Sequence, residues 1–126
     1  MAHVYSFEKL DVWIESRKFV TWVYKMTSGF PPEEKYGLTS QLRRASVSIV
    51  SNLAEGSARK ISIDQAHYYQ IAYSSLIEVL TQLIISNDLK FITSEELAEG
   101  RGIIENLTVK IAALRNAQLA KVATKP

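Results

Sequence analysis

Apolar residues recur at steps of three and four over four stretches of this chain. In the second stretch the series runs through Leu38, Leu42, Ala45, Ile49, Asn52 and Gly56. An α-helix turns once in ~3.6 residues, so this spacing places the whole series on one helical face. No stretch shows the strict alternation of apolar and polar residues that indicates a strand. The pattern therefore predicts an all-α fold made of four helices.

The helix boundaries follow from residues that start or break helices. Pro31 and Pro32 interrupt the pattern after the first stretch, because Pro cannot continue a helix. Two capping boxes are predicted, at Ser62 with Gln65 and at Thr93 with Glu96. We therefore predict helices over about 8–27, 33–56, 63–87 and 94–120. Short connections favour antiparallel neighbours, so we expect one domain over residues 1–126, folded as an antiparallel up-down-up-down four-helix bundle.

The composition indicates the cellular compartment of the protein. The chain has no Cys, and its first residues carry charges where a signal peptide would be apolar. No apolar run approaches the length of a membrane span. These features predict a cytoplasmic protein without membrane contact. The formal net charge of +2 permits a nucleic-acid partner without requiring one.

The third predicted helix carries very little charge. Between Ile61 and Asn87 the only formal charges are those of Asp64 and Glu78. A surface helix of a monomer normally has a charged face, so we expect this helix to face the bundle on one side and another subunit on a second side. A soluble helix with a neutral Ser and Gln face is the alternative. Aromatic residues are enriched at interfaces, and the candidates here are Trp22, Tyr69 and Tyr73.

Residues with catalytic spacing are missing from the sequence. The Glu-x-x-His motif of di-metal bundles does not occur, and Asp64 with His67 would hold a metal only weakly. The Gly residues are scattered rather than grouped in a phosphate-binding loop. We therefore expect no enzymatic activity, no metal, no cofactor and no small-molecule substrate.

Basic residues are the strongest candidates for binding. Arg forms bidentate contacts with phosphates and carboxylates. The alternative for Arg43 or Arg44 is a salt bridge to an acid on a neighbouring helix or subunit, and bases near the C-terminal end could instead complement the helix dipole. The candidates for nucleic-acid contact are Arg43, Arg44, Arg59, Lys60, Lys110, Arg115 and Lys121.

The stretch SNLAEGSARK, residues 51–60, places polar residues where the second helix should be apolar. We interpret it as a polar layer that fixes helix register, rather than as a catalytic or binding site. Asn52 is expected to bond to Ser16, Ser75 or Glu78. Glu55 is expected to accept hydrogen bonds from a nearby helix or to pair with an Arg such as Arg17 or Arg43, because an unpaired buried carboxylate is costly. Gly56 would admit a neighbouring backbone or end the helix.

Three segments resemble a known family along most of the chain. They are FEKLDVW, FPPEEKYGLTSQLRRASVSIVSNLAEGSARK and YYQIAYSSLIEVLTQL. Over residues 7–114 the chain resembles the 23S ribosomal RNA intervening-sequence proteins, and it is similar to the accessory variability determinant of diversity-generating retroelements. It departs from the family in two places. Val50 stands where the family typically has Pro. The run of Tyr73, Ser74 and Ser75 stands where the family typically has Gly before the Ser-Leu of the third helix. The resemblance implies a bundle that assembles into a homopentameric barrel, and it supplies no catalytic residues.

Two functions remain open from the sequence. The first is a homo-oligomeric accessory protein that associates with RNA or DNA. Five copies with a net charge of +2 each would carry about +10, which matters for the release of counterions from nucleic acid. The second is a protein-interaction scaffold without nucleic-acid contact, which the weak charge of a single chain favours.

Overall fold

The chain is all-helical over residues 2–123, which are the residues that the computed structural model describes. Its long helices are α1 (Asp11–Thr27), α2 (Leu38–Ala58), α3 (Ser62–Asp88) and α4 (Ser94–Ala123). Two short 3₁₀ turns, Ser6–Lys9 and Pro32–Glu34, precede α1 and α2. The four long helices form a four-helix bundle, which confirms the predicted all-α class. The predicted domain of residues 1–126 also includes Met1 and residues 124–126, which lie outside the described residues.

The first helix starts later than predicted. Leu10 has an extended backbone, with φ −72° and ψ 122°, and separates the 3₁₀ turn Ser6–Lys9 from α1. Within that turn the Tyr5 backbone N–H donates to Glu8 Oε2 at 2.7 Å. Glu8 therefore closes a separate turn instead of entering the first helix.

The second helix starts five residues later than predicted, at Leu38. Gly37 precedes it with φ −110° and ψ −119°, a conformation that is not helical. The Glu34 side chain helps to start the helix, because its Oε1 accepts the Leu38 N–H at 3.0 Å. At the other end α2 continues to Ala58. The helix was expected to end at Gly56 or soon after, and it ends two residues beyond Gly56, which itself lies inside the helix.

The two predicted capping boxes had different outcomes. Thr93 and Glu96 form theirs: the Thr93 N–H donates to Glu96 Oε1 at 2.9 Å, and the Glu96 N–H donates to Thr93 Oγ1 at 3.0 Å. The box at Ser62 was wrong. Ser62 is already helical, and the preceding Ile61 is the N-cap residue without a side-chain cap bond.

The core is built by all four helices around a continuous apolar cluster. Its fully buried side chains include Phe19 and Val23 of α1, Leu42, Ile49 and Leu53 of α2, Leu76, Val79 and Leu83 of α3, and Leu107 and Ile111 of α4. α2 packs on α3 and α3 on α4, while the seam between α1 and α4 is the least extensive. No helix within residues 2–123 is long and apolar enough to cross a membrane.

Two glycines allow helices to approach closely. A Cβ at Gly56 would lie 2.6 Å from the Tyr69 ring, and a Cβ at Gly100 would lie 2.9 Å from both Leu83 and Trp22. Neither position can hold a side chain unless the neighbours move. Gly102 also lies in α4 but on open space, because a Cβ at this position would have no neighbouring atom within 4 Å.

The glycine contacts give a test of the packing. We expect Gly56→Ala to lower the free energy of unfolding by about 1–3 kcal/mol, because the buried Tyr69 ring has little room to move. Gly102→Ala is the matched control and should raise stability by up to about 1 kcal/mol, because Ala favours helix over Gly. Urea unfolding followed by circular dichroism measures both. An equal gain in both variants would contradict the close approach.

Candidate nucleic-acid interface

The predicted basic residues do not form one surface. Arg43 and Arg44 lie in the first turns of α2, near the loop that follows α1, whereas Arg59 and Lys60 lie beyond its far end. Positions 43 and 59 are 16 residues apart, which corresponds to about 24 Å along a helix. Arg115 of α4 contacts the first half of α3, since its Nη1 donates to Gln70 Oε1 at 2.7 Å. The candidates therefore separate into groups at two ends of the bundle.

A groove lies at the end of the bundle where α1 is followed by α2. It has a volume of about 500 Å³, and we call it the basic groove. Its lining contains three cationic side chains, two tyrosines and no carboxylate. The lining residues are Tyr24, Lys35, Tyr36, Thr39, Ser40, Arg43, Arg44 and Val47. Sequence reasoning missed Lys35, Tyr24 and Tyr36, which come from the end of α1 and from the loop.

Arg43 is held in place without being neutralised. Its Nε donates to Thr27 Oγ1 at 2.9 Å and its Nη2 to the Tyr24 carbonyl at 3.4 Å. Its guanidinium carbon lies 4.6 Å from the centre of the Tyr24 ring. These partners are all uncharged, so the salt bridge considered from the sequence is not formed within residues 2–123. The groove therefore retains the full charge of Arg43.

The other two cations of the basic groove are exposed to solvent. Arg44 makes no hydrogen bond or ion pair with the described part of the chain. The Lys35 ammonium lies 5.4 Å from the centre of the Tyr36 ring, and Tyr36 is 86% exposed. Cations next to exposed rings can bind phosphates and bases together.

The second basic group consists of Arg59, Lys60, Arg115 and Lys121, and its arginines contact other residues of the chain. Arg59 donates to the Tyr68 hydroxyl at 2.6 Å and lies 4.0 Å from Glu55. The Arg115 guanidinium lies 5.3 Å from the centre of the Tyr73 ring. Lys60 and Lys121 are exposed. This end remains a weaker candidate, because its two arginines already have partners.

Lys110 of α4 is neutralised by a carboxylate of the chain itself. Its ammonium donates to both oxygens of Glu15, at 2.7 and 2.8 Å, and so joins α4 to α1. The Asn106 amide donates to the same carboxylate at 3.4 Å. Because this charge is compensated within the chain, we exclude Lys110 from the candidate interface.

The three aromatic residues predicted at a subunit interface lie in different settings. Tyr69 is only 2% exposed and packs in the core beneath Gly56, so its assignment to an interface was wrong. Burial raises the pKa of its phenol above the ordinary value of 10.0. Trp22 and Tyr73 are half-buried, and Trp22 Nε1 donates to Glu99 Oε1 at 3.0 Å. For these two the prediction stays open.

The outer face of α3 carries no charge over most of its length. Residues at helical spacing on this face are exposed, and several are apolar: they are Ile63, His67, Gln70, Ser74, Ile77, Thr81 and Ile85. Charged residues of α4 lie beside this face, since Arg115 donates to Gln70 and Arg101 and Glu105 line a groove with Ile77. Exposed apolar residues grouped on one face are typical of a protein contact. Asp64 lies in the first turn of α3, and within residues 2–123 no three His, Cys, Asp or Glu residues are grouped as metal ligands.

The residues of the predicted polar layer have partners other than those expected. Asn52 bonds within its own helix, donating to the Ser48 carbonyl at 2.8 Å and to Ser48 Oγ at 3.1 Å. The link across to α3 is made by Ser48, whose hydroxyl lies 3.0 Å from that of Ser75. Glu55 was wrongly expected to be buried, since its side chain is 58% exposed.

Glu78 of the predicted layer and Ser16, a candidate partner of Asn52, do not make the expected contacts either. Glu78 is exposed and accepts a hydrogen bond from Gln82 Nε2 at 3.1 Å rather than from Asn52. Ser16 is fully buried, and its hydroxyl has no hydrogen-bond partner among residues 2–123. The cross-helix part of the layer therefore reduces to the pair Ser48 and Ser75.

The fold and the groove together define an all-helical protein with a cationic, aromatic-lined surface at one end of a four-helix bundle. A family model described as 23S rRNA-intervening sequence protein matches residues 8–113. The chain belongs to this family, as the quoted motifs indicated.

A solved structure supports the fold independently. It is the crystal structure of a protein with unknown function from the S23 ribosomal protein family of Bacteroides thetaiotaomicron, and it matches with a TM-score of 0.74 and 18% identity. The match covers 82% of this chain and 97% of that chain. No curated protein matches the chain.

The Ser48 and Ser75 pair can be tested by a double-mutant cycle. We expect Ser48→Ala and Ser75→Ala each to lower the free energy of unfolding by about 0.5–1.5 kcal/mol, with a coupling of at least about 0.5 kcal/mol between them. Ser51→Ala, on the exposed side of α2, should change stability by less than about 0.5 kcal/mol. Strictly additive losses in urea unfolding would contradict a bond across the helices.

Proposed function

We propose that this chain is a non-enzymatic homo-oligomeric protein of the cytoplasm that binds nucleic acid, principally RNA, through the basic groove. One observation carries the proposal: Lys35, Arg43 and Arg44 line one groove, and no carboxylate is among its lining residues. Positive charge without compensation attracts the phosphate backbone, which dominates nucleic-acid affinity.

The same proposal includes an antiparallel bundle that assembles as a homopentamer. Contacts between α2 and α3 run in opposite order along the two helices, since Gln41 meets Gln82 and Ser48 meets Ser75. The uncharged outer face of α3 supports the assembly, because a buried contact would explain why it lacks charge. In such a ring every copy would contribute one basic groove.

The alternative function is a protein-interaction scaffold without nucleic-acid contact. The outer face of α3 favours it, because exposed Ile63, Ile77 and Ile85 could bind another protein as well as a second copy. The basic groove would then serve no purpose, which is why we rank this function second.

Binding should depend on salt and on the groove. We expect fluorescein-labelled hairpin RNA to bind the wild-type protein at low salt, with affinity falling as salt rises. Lys35→Ala with Arg44→Ala should weaken binding about tenfold or more and flatten the salt dependence, because hydrogen bonds to charged groups contribute about 1.5–3 kcal/mol each. Fluorescence anisotropy over a series of salt concentrations measures both effects.

A control removes the same charge elsewhere. Lys18→Ala with Arg101→Ala takes two exposed cations from outside the basic groove and should leave affinity nearly unchanged. Absence of binding to RNA and to duplex DNA at low salt would refute the nucleic-acid function. An equal loss in both double variants would refute the assignment to the groove.

The assembly is tested separately by native mass spectrometry. We expect a five-chain species at micromolar concentration, and we expect Ile77→Glu to dissociate it, because a charge buried in an apolar contact is costly. The control Val109→Glu introduces the same charge at an exposed position of α4 and should leave the assembly intact. A wild-type monomer would contradict the proposal.

A further inference from the structure

The form of nucleic acid that the basic groove accepts can be inferred from Tyr36. The residue is 86% exposed, although it lies in a turn whose backbone is held by hydrogen bonds. The Lys35 N–H donates to the Pro32 carbonyl at 3.2 Å, and the Gly37 N–H donates to the Glu34 carbonyl at 2.9 Å. The backbone on both sides of Tyr36 is therefore held, and the ring is presented to solvent from a fixed support.

The two tyrosines of the groove are not equivalent. Tyr24 is 42% exposed, and the Arg43 guanidinium already lies 4.6 Å from its ring centre. Tyr36 is twice as exposed, and the Lys35 ammonium lies further away, 5.4 Å from the ring centre. Tyr36 is thus the ring with room for a further planar group.

Only an unpaired base has a free planar face that can stack on the Tyr36 ring. In a duplex the base faces are covered by stacking on their neighbours, and proteins reach only phosphates, sugars and base edges. Exposed aromatic rings beside cations are the common feature of surfaces that bind single strands, because every base has a face that can stack. The groove volume of about 500 Å³ lies within the ~300–1,000 Å³ range of sites for small organic groups.

We propose that the basic groove binds single-stranded nucleic acid, with one unpaired base stacked on Tyr36 and the adjoining phosphates contacted by Lys35 and Arg44. Arg43 is a positioning residue in this arrangement, because its bonds to Thr27 and to the Tyr24 carbonyl hold the wall of the groove. The inference rests on the proposed function and specifies the form of its ligand.

The test compares two labelled RNAs on the intact protein. One is a single-stranded oligouridine of 12 nucleotides, and the other is a 12-base-pair RNA duplex. We expect the single strand to bind more tightly. Tyr36→Leu should weaken its binding about five- to 150-fold, which is the range for base–aromatic stacking, and should leave duplex binding unchanged. Tyr36→Phe should retain affinity, because the ring is kept.

A matched control and a direct signal accompany the affinities. Tyr5→Leu removes another exposed tyrosine, 60% exposed and outside the groove, and should bind like wild type. A 2-aminopurine base in the centre of a single strand should lose fluorescence on binding to wild type and keep it with Tyr36→Leu, because stacking quenches it. Circular dichroism confirms that each variant is folded.

The unfavourable outcomes can be told apart. Equal affinity for both RNAs, unchanged by Tyr36→Leu but lost in the Lys35 and Arg44 double variant, would overturn the stacking inference and leave the proposed function standing. Absence of binding to either RNA at low salt would overturn both. A change of oligomeric state in Tyr36→Leu, without loss of RNA affinity, would show that Tyr36 is a protein contact and overturn the inference.

Discussion

The packing of α2 against α3 is the contact on which the rest of the bundle depends. Gly56 has no side chain, so the Tyr69 ring can lie against the α2 backbone and become almost fully buried. Further along the same seam, the Ser48 and Ser75 hydroxyls lie 3.0 Å apart. A helix fixed at these two points can neither slide nor rotate without opening the core, because interiors are close-packed.

That fixed register also positions the basic groove. Once Leu42, Ile49 and Leu53 are buried, Arg43 and Arg44 must lie off the core face, because neighbouring positions are rotated by about 100° on a helix. Arg43 then reaches back to Thr27 and Tyr24 at the end of α1. The cationic surface is thus a consequence of core packing together with the turn that joins α1 to α2.

Membership of the 23S rRNA-intervening sequence family and the likeness to a Bacteroides thetaiotaomicron structure both concern the fold. At 18% identity, that likeness carries no information about side-chain chemistry. The case for nucleic acid therefore stands on this chain's own residues. In the basic groove, positive charge without compensation lies next to exposed aromatic rings. The fold alone does not define the function, because a fold of this class can host many functions.

The sequence by itself determined the helix number, the buried faces, the family and the Thr93 capping box, because periodicity and capping are local properties of the chain. It could not determine which distant residues meet.

Lys35 and Tyr36 were not considered for the interface. Lys110 was assigned to it, although Glu15 neutralises this lysine. Tyr69 was placed on the surface, although the absence of a side chain at Gly56 admits its ring to the core. Glu55 was expected to be buried although it faces solvent. These outcomes depend on helix register and on the loop geometry at Gly37. Only the tertiary structure decides both, because register and loop geometry arise from contacts between segments that no local pattern encodes.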